Sequence, residues 1–272
     1  MDQNEPGSQE SQENITSLSI KYELSERSRD DLGHLNRFRV KIIADDSSSM
    51  REKSDEKGCL TRFQELKQGV ELIRDIIVCV TKKPIDIYFL NRESKENVMI
   101  SDDVDTLFRD PPSGFTPLIT RIREIIAKIP KGEETLLVIA TDGEPSDGTV
   151  STLKKVIQSK PKNIYISFLA CTDDEPVMEM LNDIDNTVEG VDVTDDFVNE
   201  KKQVLAAQKH KNPGKTFSFS KGDWVIKLLL GSIVPYYDQL DEIEKSTNKD
   251  YLIYMLYAVL LGIFLKIFYV NR

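Results

Sequence analysis

The sequence predicts an α/β fold in which a doubly wound, mostly parallel sheet is flanked by helices and a transmembrane helix follows at the C-terminus. Short apolar runs alternate with segments of helical period, and the chain ends in a long apolar stretch. With 272 residues, 39% of them hydrophobic, the chain can bury one sizeable core. We therefore expect one main domain with tails.

The first twenty residues are rich in Gln, Glu, Ser and Asn. A segment with so little to bury is expected to be disordered, so residues 1–20 are predicted to be a disordered tail. Residues 21–37 mix charges with scattered leucines, and Ser25 is a candidate N-cap for a short helix there.

Apolar runs rich in β-branched residues predict the strands. Continuous runs of this kind are typical of strands that are covered on both faces, as in a parallel sheet. A shorter extended piece is expected at residues 216–219. The predicted strands are residues 40–44, 85–90, 97–100, 135–140, 164–170 and 188–193.

Between these runs, apolar residues recur at helical spacing, most clearly from Phe63 to Val80. Pro117 suits the first position of a later helix. The regular alternation of strand and helix indicates right-handed βαβ units on a mostly parallel sheet. The predicted helices are residues 63–80, 102–108, 118–129, 150–159, 176–183, 195–208 and 223–237.

Three polar segments follow a strand or open a helix. In open α/β sheets, ligand sites form just beyond the carboxyl ends of the strands. Oxygen-bearing side chains at such positions indicate a single hard cation. For the first segment the alternative is a Ser-rich turn that caps the next helix. The side chains are Asp45, Ser47 and Ser49 after the first strand, Thr116 before a helix, and Asp142 after the strand at 135–140.

This combination resembles the von Willebrand factor A (VWA) domain. In that family a metal-ion-dependent adhesion site (MIDAS) combines Asp-x-Ser-x-Ser after the first strand, a Thr in a Gly-Thr-Pro-Leu-like turn, and an Asp after the fourth strand. The resemblance covers residues 36–240, and the closing segments are similar to those of intracellular relatives. The pattern falls in order on Asp45, Ser47, Ser49, Thr116 and Asp142.

The resemblance implies a metal-dependent protein-binding module, an adhesion or scaffold domain rather than an enzyme. The five residues would hold Mg²⁺ or Mn²⁺, and an Asp or Glu of a protein partner would fill the last coordination position. The formal net charge of −10 disfavours nucleic acid and anionic membrane headgroups as partners of the domain.

Three positions depart from the family pattern. Asp46 and Ser48 stand where the family often has Gly, and Phe115 stands where a second Gly usually precedes the Thr. Phe115 either reshapes the rim and weakens metal binding or is an exposed apolar contact for a ligand. Asp46 and Glu144 are expected to be ordinary solvated loop acids.

The alternative function is that of a Mg²⁺-dependent phosphotransfer enzyme or a receiver-like signalling domain. A receiver domain needs an Asp at the end of the next strand, where this chain has Asn91. A haloacid-dehalogenase-type phosphatase needs an Asp at the position of Ser47, and its general acid is therefore missing. His34 and His210 stand in no recognisable catalytic context.

The cysteines are sparse and form no CxxC motif, and no apolar signal peptide opens the chain. Both features favour a reducing, intracellular location. Cys79 and Cys171 lie on apolar elements and are expected to pack in the core, whereas Cys59 lies on a loop.

Residues 251–270 read YLIYMLYAVLLGIFLKIFYV, in which Lys266 is the one charged residue. A helix of this length spans about 30 Å, the thickness of a bilayer's hydrocarbon core. With residues 241–250 as a polar linker, the pattern predicts a single-pass, C-terminal membrane anchor and a cytosolic domain, with the organelle left open. The alternative is a helix that folds back on the domain.

Overall fold

The computed structural model describes residues 6–54 and 60–242. Within these ranges the strands are Arg39–Ala44 (β1), Ile85–Phe89 (β2), Lys95–Val98 (β3), Thr135–Thr141 (β4), Ile164–Ala170 (β5) and Val191–Thr194 (β6). The helices are Pro6–Lys21 (α1), Glu26–Asp31 (α2), Arg62–Thr81 (α3), Ser101–Leu107 (α4), Leu118–Lys128 (α5), Val150–Gln158 (α6), Glu175–Asp185 (α7), Phe197–Lys211 (α8), Lys221–Leu230 (α9) and Pro235–Asp238 (α10).

The six strands form one sheet in the order β3-β2-β1-β4-β5-β6. Neighbouring strands run parallel, except that β3 is antiparallel to β2. The mostly parallel α/β sheet predicted from the sequence is confirmed. We call the residues that directly follow the parallel strands the carboxyl edge, and those that directly precede them the amino edge.

Helices cover both faces of the sheet because successive side chains of each strand point to opposite sides. In β1, Ile42 and Ala44 belong to a core shared with α3 and α9, whereas Ile43 belongs to a second core shared with α5, α6 and α7. The sheet is therefore doubly wound. Cys79 and Cys171 are partly buried against the first core.

The N-terminal segment differs from its prediction. Residues 6–21 form α1 rather than part of a disordered tail, because one side of α1 packs against α3. Leu18 is only 7% exposed, and the Lys21 ammonium lies 2.8 Å from the Asp75 carboxylate. The Tyr22 hydroxyl also donates to Asp75. The short helix that Ser25 was predicted to cap is present as α2.

The C-terminal part of the domain also differs from its prediction. Residues 223–237 were predicted to be one helix, but α9 ends at Leu230 and α10 begins at Pro235, which lacks the N–H that a continuous helix requires. Residues 216–219 lie in no strand.

The predicted anchor, residues 251–270, and most of the predicted linker lie outside the described residues. Cys59 and residues 1–5 lie outside them as well. Within the described ranges no helix is long and apolar enough to cross a membrane.

Candidate metal site

The loop after β1 is held at the carboxyl edge by a buried carboxylate. Asp45 is fully buried, and its Oδ1 accepts a hydrogen bond of 2.8 Å from the Ser47 N–H. Its Oδ2 accepts one of 2.7 Å from the Thr141 hydroxyl at the end of β4. The first bond closes the turn from Asp45 to Ser47, and the second ties the loop to the neighbouring strand.

A row of side-chain oxygens links this loop to the end of β4. The hydroxyls of Ser47 and Ser49 are 3.0 Å apart, and the Ser49 hydroxyl donates to Oδ1 of Asp142 at 2.8 Å. Four of the five residues predicted from the sequence therefore form one cluster. We call Asp45, Ser47, Ser49 and Asp142 the oxygen cluster.

The fifth predicted residue, Thr116, is positioned through its backbone. Its N–H donates to the Ser146 hydroxyl at 3.0 Å, and its carbonyl accepts from the Ser146 N–H at 2.8 Å. The preceding turn docks on the loop after β1, because the Ser48 N–H donates to the Gly114 carbonyl at 3.1 Å. No hydrogen bond among the described residues joins the Thr116 hydroxyl to the oxygen cluster.

Arg62 is a member of the site that the sequence did not reveal. One of its guanidinium nitrogens lies 3.0 Å from Oδ2 of Asp142 and 3.0 Å from a carboxylate oxygen of Glu52. Another donates to the Thr172 hydroxyl at 3.3 Å. Arg62 therefore neutralises one oxygen of Asp142, while the other oxygen faces Ser49.

Asp46 is not the solvated loop acid that was predicted. It is 1% exposed, and its carboxylate accepts from the Asn91 N–H at 2.8 Å and from Arg92 Nε at 2.7 Å. Burial is possible because the Arg92 guanidinium compensates its charge. Glu144 is exposed, as predicted.

Phe115 stands out at the rim of the site, with 80% of its surface exposed. The Asn91 side-chain amide donates to its carbonyl at 2.8 Å. Gly114 beside it has φ of +111° and closely approaches Asn91, so a side chain at that position would be strained and would overlap Asn91. The turn thus holds an apolar ring in solvent next to the oxygen cluster.

The electrostatics of the cluster favour an additional positive charge. Burial raises the pKa of Asp45 to about 6, and the charge of Asp142 adds to the rise, while hydrogen bonds from Ser47 and Thr141 oppose it. In the part of the chain that the structure describes, no Lys, Arg or His pairs with Asp45. Its carboxylate is thus desolvated without a cation of its own.

The donor set fits a hard divalent cation. Two carboxylates and two hydroxyls supply oxygen ligands alone, the type that Mg²⁺ and Mn²⁺ prefer. The described residues contain no group of three or more His, Cys, Asp or Glu side chains that would hold a metal by themselves. Any ion here therefore depends on hydroxyls and on ligands from water or a partner.

No family model matches this chain, and no curated protein matches it either. Similar solved structures include proximal thread matrix protein 1 from the mussel byssus, with 15% identity over 61% of this chain and 46% of that chain and a TM-score of 0.42. They also include the manganese-loaded TRAP protein of Plasmodium vivax, with 11% identity over 61% of this chain and 71% of that chain and a TM-score of 0.42. The match spans less than half of the mussel protein, and similarity at this level assigns no function to this chain.

Proposed function

We propose that this protein is a VWA-like protein-binding module that holds Mg²⁺ or Mn²⁺ at the carboxyl edge of its sheet. The observation that carries the proposal is the oxygen cluster, in which two buried carboxylates and two hydroxyls converge from separate loops. A bound cation would supply the positive charge that Asp45 lacks. The proposed ligands are Asp45, Ser47, Ser49, Thr116 and Asp142.

The partner is proposed to be a protein that presents an Asp or Glu to the ion. A carboxylate suits an ion held partly by neutral hydroxyls, because such an ion keeps much of its charge. Phe115 supports a protein partner, since an exposed aromatic ring beside a polar site is typical of an interface contact. Binding would then combine one charged and one apolar contact.

We propose that the module has no catalytic turnover. Both histidines lie away from the oxygen cluster: His34 precedes β1 at the amino edge, and His210 lies in the last turn of α8. A receiver-like domain would need an acid after β2, where Asn91 instead binds Asp46. These placements support binding over phosphotransfer.

We further propose that residues 251–270 anchor the protein in a membrane, with the domain in the cytosol. The described chain leaves the domain near the ends of α8 and α9, because Leu240 and Asp241 contact Gln208 and Lys227 there. Residues 233–235, which follow α9, line one cavity with His34, Asn36 and Arg37 before β1, so the end of α9 lies at the amino edge. The proposed metal site at the opposite edge would remain open to a partner.

Calorimetric titration with Mg²⁺ and with Mn²⁺ tests the metal site. Asp45→Asn and Asp142→Asn each remove a carboxylate and are expected to weaken binding by at least about tenfold, or about 1.4 kcal/mol. Glu144→Gln is the matched control, because Glu144 is an exposed acid of the same loop as Asp142, and it is expected to bind like the wild type. Identical binding by all four proteins would refute the metal site.

Partner binding is tested by affinity capture in Mg²⁺ and in EDTA. We expect chelation and Phe115→Ala each to release the same partner. A partner set that chelation leaves unchanged would show that the oxygen cluster is not the interface. Phosphatase activity that Asp142→Ala abolishes would establish the enzyme instead.

Carbonate extraction of cell membranes tests the anchor. The full chain is expected to stay in the pellet, and a variant that ends at Lys249 is expected in the supernatant. Equal release of both proteins would refute the anchor.

A further inference from the structure

The amino edge carries exposed basic side chains on three separate loops. Lys82 precedes β2, Lys131 precedes β4 and Lys162 precedes β5, and all three are exposed. Within the described ranges none of the three forms an ion pair with a carboxylate. Their charges are therefore available to an external anion.

Contacts between the loops make these lysines parts of one surface. The Lys83 ammonium donates to the Asn36 carbonyl at 2.6 Å, which joins the loop before β2 to the loop before β1. Arg37 and Lys160 each lie 6.0 Å from the centre of the Tyr165 ring, which joins the loops before β1 and β5. The Asn163 amide donates to the Glu133 carbonyl at 2.5 Å, which joins the loops before β4 and β5. Within the described ranges these loops also carry Glu133, Glu134 and Glu189, and Arg37 pairs with Glu134. With six basic side chains (Arg37, Lys82, Lys83, Lys131, Lys160 and Lys162) against three acidic ones, the surface is positive on balance.

The opposite edge of the sheet is acidic. Strand β4 has seven residues, and a rise of about 3.3 Å per residue separates its two ends by about 20 Å. The Debye length at physiological salt is about 8 Å, so the two edges act independently on charged surfaces. The net charge of −10 therefore does not describe the amino edge. The acids that follow the strands are Asp45, Asp46, Asp142, Glu144, Asp173, Asp174, Asp195 and Asp196, of which Asp46 pairs with Arg92 and Asp142 with Arg62.

The same basic edge is where the described chain ends. The Gln208 side chain donates to the Leu240 carbonyl at 2.9 Å, and the Lys211 ammonium donates to the Gln239 carbonyl at 2.6 Å. Lys227 in the last turn of α9 lies 3.4 Å from the Asp241 carboxylate. These contacts hold residues 239–241 beside α8 and α9, and residues 233–235 line a cavity with His34, Asn36 and Arg37 before β1, so the chain leaves the domain on the side of the amino edge. Nine residues separate Asp241 from the start of the apolar stretch at Tyr251.

We propose that the amino edge docks on an anionic lipid surface, with Lys82, Lys131 and Lys162 at the headgroups. This inference builds on the proposed membrane anchor, which would bring this edge to the bilayer. Each lysine at such a surface favours binding by about fivefold, so three together contribute on the order of a hundredfold. The module would then be oriented on the membrane with its metal edge pointing away.

Lysine labelling of the full chain on vesicles tests this proposal. The chain is mixed with vesicles of phosphatidylcholine, or of phosphatidylcholine with phosphatidylserine, and acetylation of each lysine is followed by mass spectrometry. On phosphatidylserine vesicles we expect labelling of Lys82, Lys131 and Lys162 to slow severalfold, and added salt to reverse the effect. The exposed control lysines, Lys53, Lys202 and Lys221, are expected to react equally on both vesicles.

A pair of triple variants controls for charge. In the variant with Lys82→Glu, Lys131→Glu and Lys162→Glu, the remaining lysines of the same edge, Lys83 and Lys160, serve as reporters, and the dependence of their labelling on phosphatidylserine is expected to be lost. The matched variant with Lys53→Glu, Lys202→Glu and Lys221→Glu is expected to keep it. Equal labelling of the wild type on both vesicles would overturn the docking proposal even if the first variant failed to fold.

Flotation separates this proposal from the anchor. A chain that floats with phosphatidylcholine vesicles but shows equal labelling on both kinds would retain the anchor and overturn the docking surface. A chain that floats only with phosphatidylserine, with its three lysines protected, would support the docking surface without the anchor. A chain that floats with neither would overturn both.

Discussion

Two groups of buried carboxylates, one beside α9 and the other at the carboxyl edge, differ in where the compensating positive charge comes from. Beside α9, Lys227 is 0% exposed and lies 3.2 Å from the Glu200 carboxylate and 3.4 Å from that of Asp241. Asp192 lies in the same group. At the carboxyl edge, Asp45 has no basic partner among the described residues.

The pKa values show how much each group depends on its surroundings. Burial raises the pKa of Asp192 to about 8 and that of Glu200 to about 7, and Lys227 opposes both shifts. Burial also acts to lower the pKa of Lys227, but the charges of Asp192, Glu200 and Asp241 outweigh it and raise the pKa above its usual value. The lysine therefore stays charged among these acids.

This contrast separates a structural group of charges from one that is suited to a ligand. The Lys227 group carries its own cation on a helix that is packed into the core. Among the described residues, the oxygen cluster has only Arg62 as a basic partner, and Arg62 contacts one oxygen of Asp142 but not Asp45. Incomplete compensation of the carboxylate charges is expected at a site where a bound, exchangeable cation supplies the missing positive charge.

Removing the internal cation is expected to have the largest effect. Lys227→Met would leave buried carboxylates unpaired and lower the free energy of unfolding by about 3–5 kcal/mol at pH 7. Chemical denaturation measures this. The control Lys202→Met changes an exposed lysine on α8 and is expected to stay within about 0.5 kcal/mol of the wild type. If Lys227→Met lowered the free energy of unfolding by less than about 1 kcal/mol, the carboxylates around Lys227 would not depend on it for their compensating charge.

Removing a carboxylate from the oxygen cluster is expected to act in the opposite direction. Without metal at pH 8, Asp45→Asn is expected to raise the free energy of unfolding by about 2 kcal/mol, because it removes a desolvated charge. The gain should shrink towards zero as the pH falls to about 4. Asp86→Asn is the control: the pKa of Asp86 is lowered by Arg39 and Lys41 against the effect of burial, so this variant should destabilise. If Asp45→Asn lowers the free energy of unfolding as Asp86→Asn does, the charge of Asp45 is already compensated within the protein.

The pH dependence of stability is a further test of how the buried carboxylates of the two groups are compensated. Asp45, Asp192 and Glu200 have folded pKa values above their ordinary ones, so the folded state binds more protons than the unfolded state between about pH 4 and pH 8. The free energy of unfolding is therefore expected to fall as pH rises from about 5 to about 8, by at least about 1.4 kcal/mol, the effect of a single pKa unit. In denaturation experiments across this pH range, the free energy of unfolding of Asp192→Asn should fall less steeply with pH than that of the wild type. A flat or rising profile in the wild type would contradict the raised pKa values.

The smallest expected effect concerns Arg62. Arg62→Gln frees the second oxygen of Asp142 and should tighten Mg²⁺ binding by about fivefold, or about 1 kcal/mol, because a competing positive charge is gone. Calorimetry measures the change. Arg51→Gln serves as control, since Arg51 donates to the Pro112 carbonyl and not to the cluster. Unchanged or weaker binding by Arg62→Gln would mean that the guanidinium supports the site rather than competes with an ion.

Local sequence patterns were sufficient to predict where the oxygen cluster forms. Asp45, Ser47 and Ser49 follow an apolar strand whose end is visible in the sequence, and Asp142 follows another. Since β1 and β4 are adjacent and parallel, their ends meet. Thr116 was identified by its turn, but a turn signal does not determine where the hydroxyl points.

The contacts that the sequence did not reveal join residues that are far apart in the sequence. Arg62 and Asp142 are 80 positions apart, and Thr141 and Asp45 are 96 apart, so no local pattern connects them. Asp46 appeared to be a solvated acid because Arg92, which neutralises it, lies on a different loop. Helix α1 was missed because its few apolar residues, such as Leu18, become informative only once α3 is in place beside them.

The strands at the two sides of the sheet limit how copies of this protein can associate. Strands β3 and β6 have four residues each, whereas β4 and β5 have seven. Three of the four residues of β3 are exposed and polar, and its first residue, Lys95, pairs with Asp103. Short, charged outer strands are poor templates for pairing with another chain. The outer strands therefore disfavour association of two copies through the sides of their sheets.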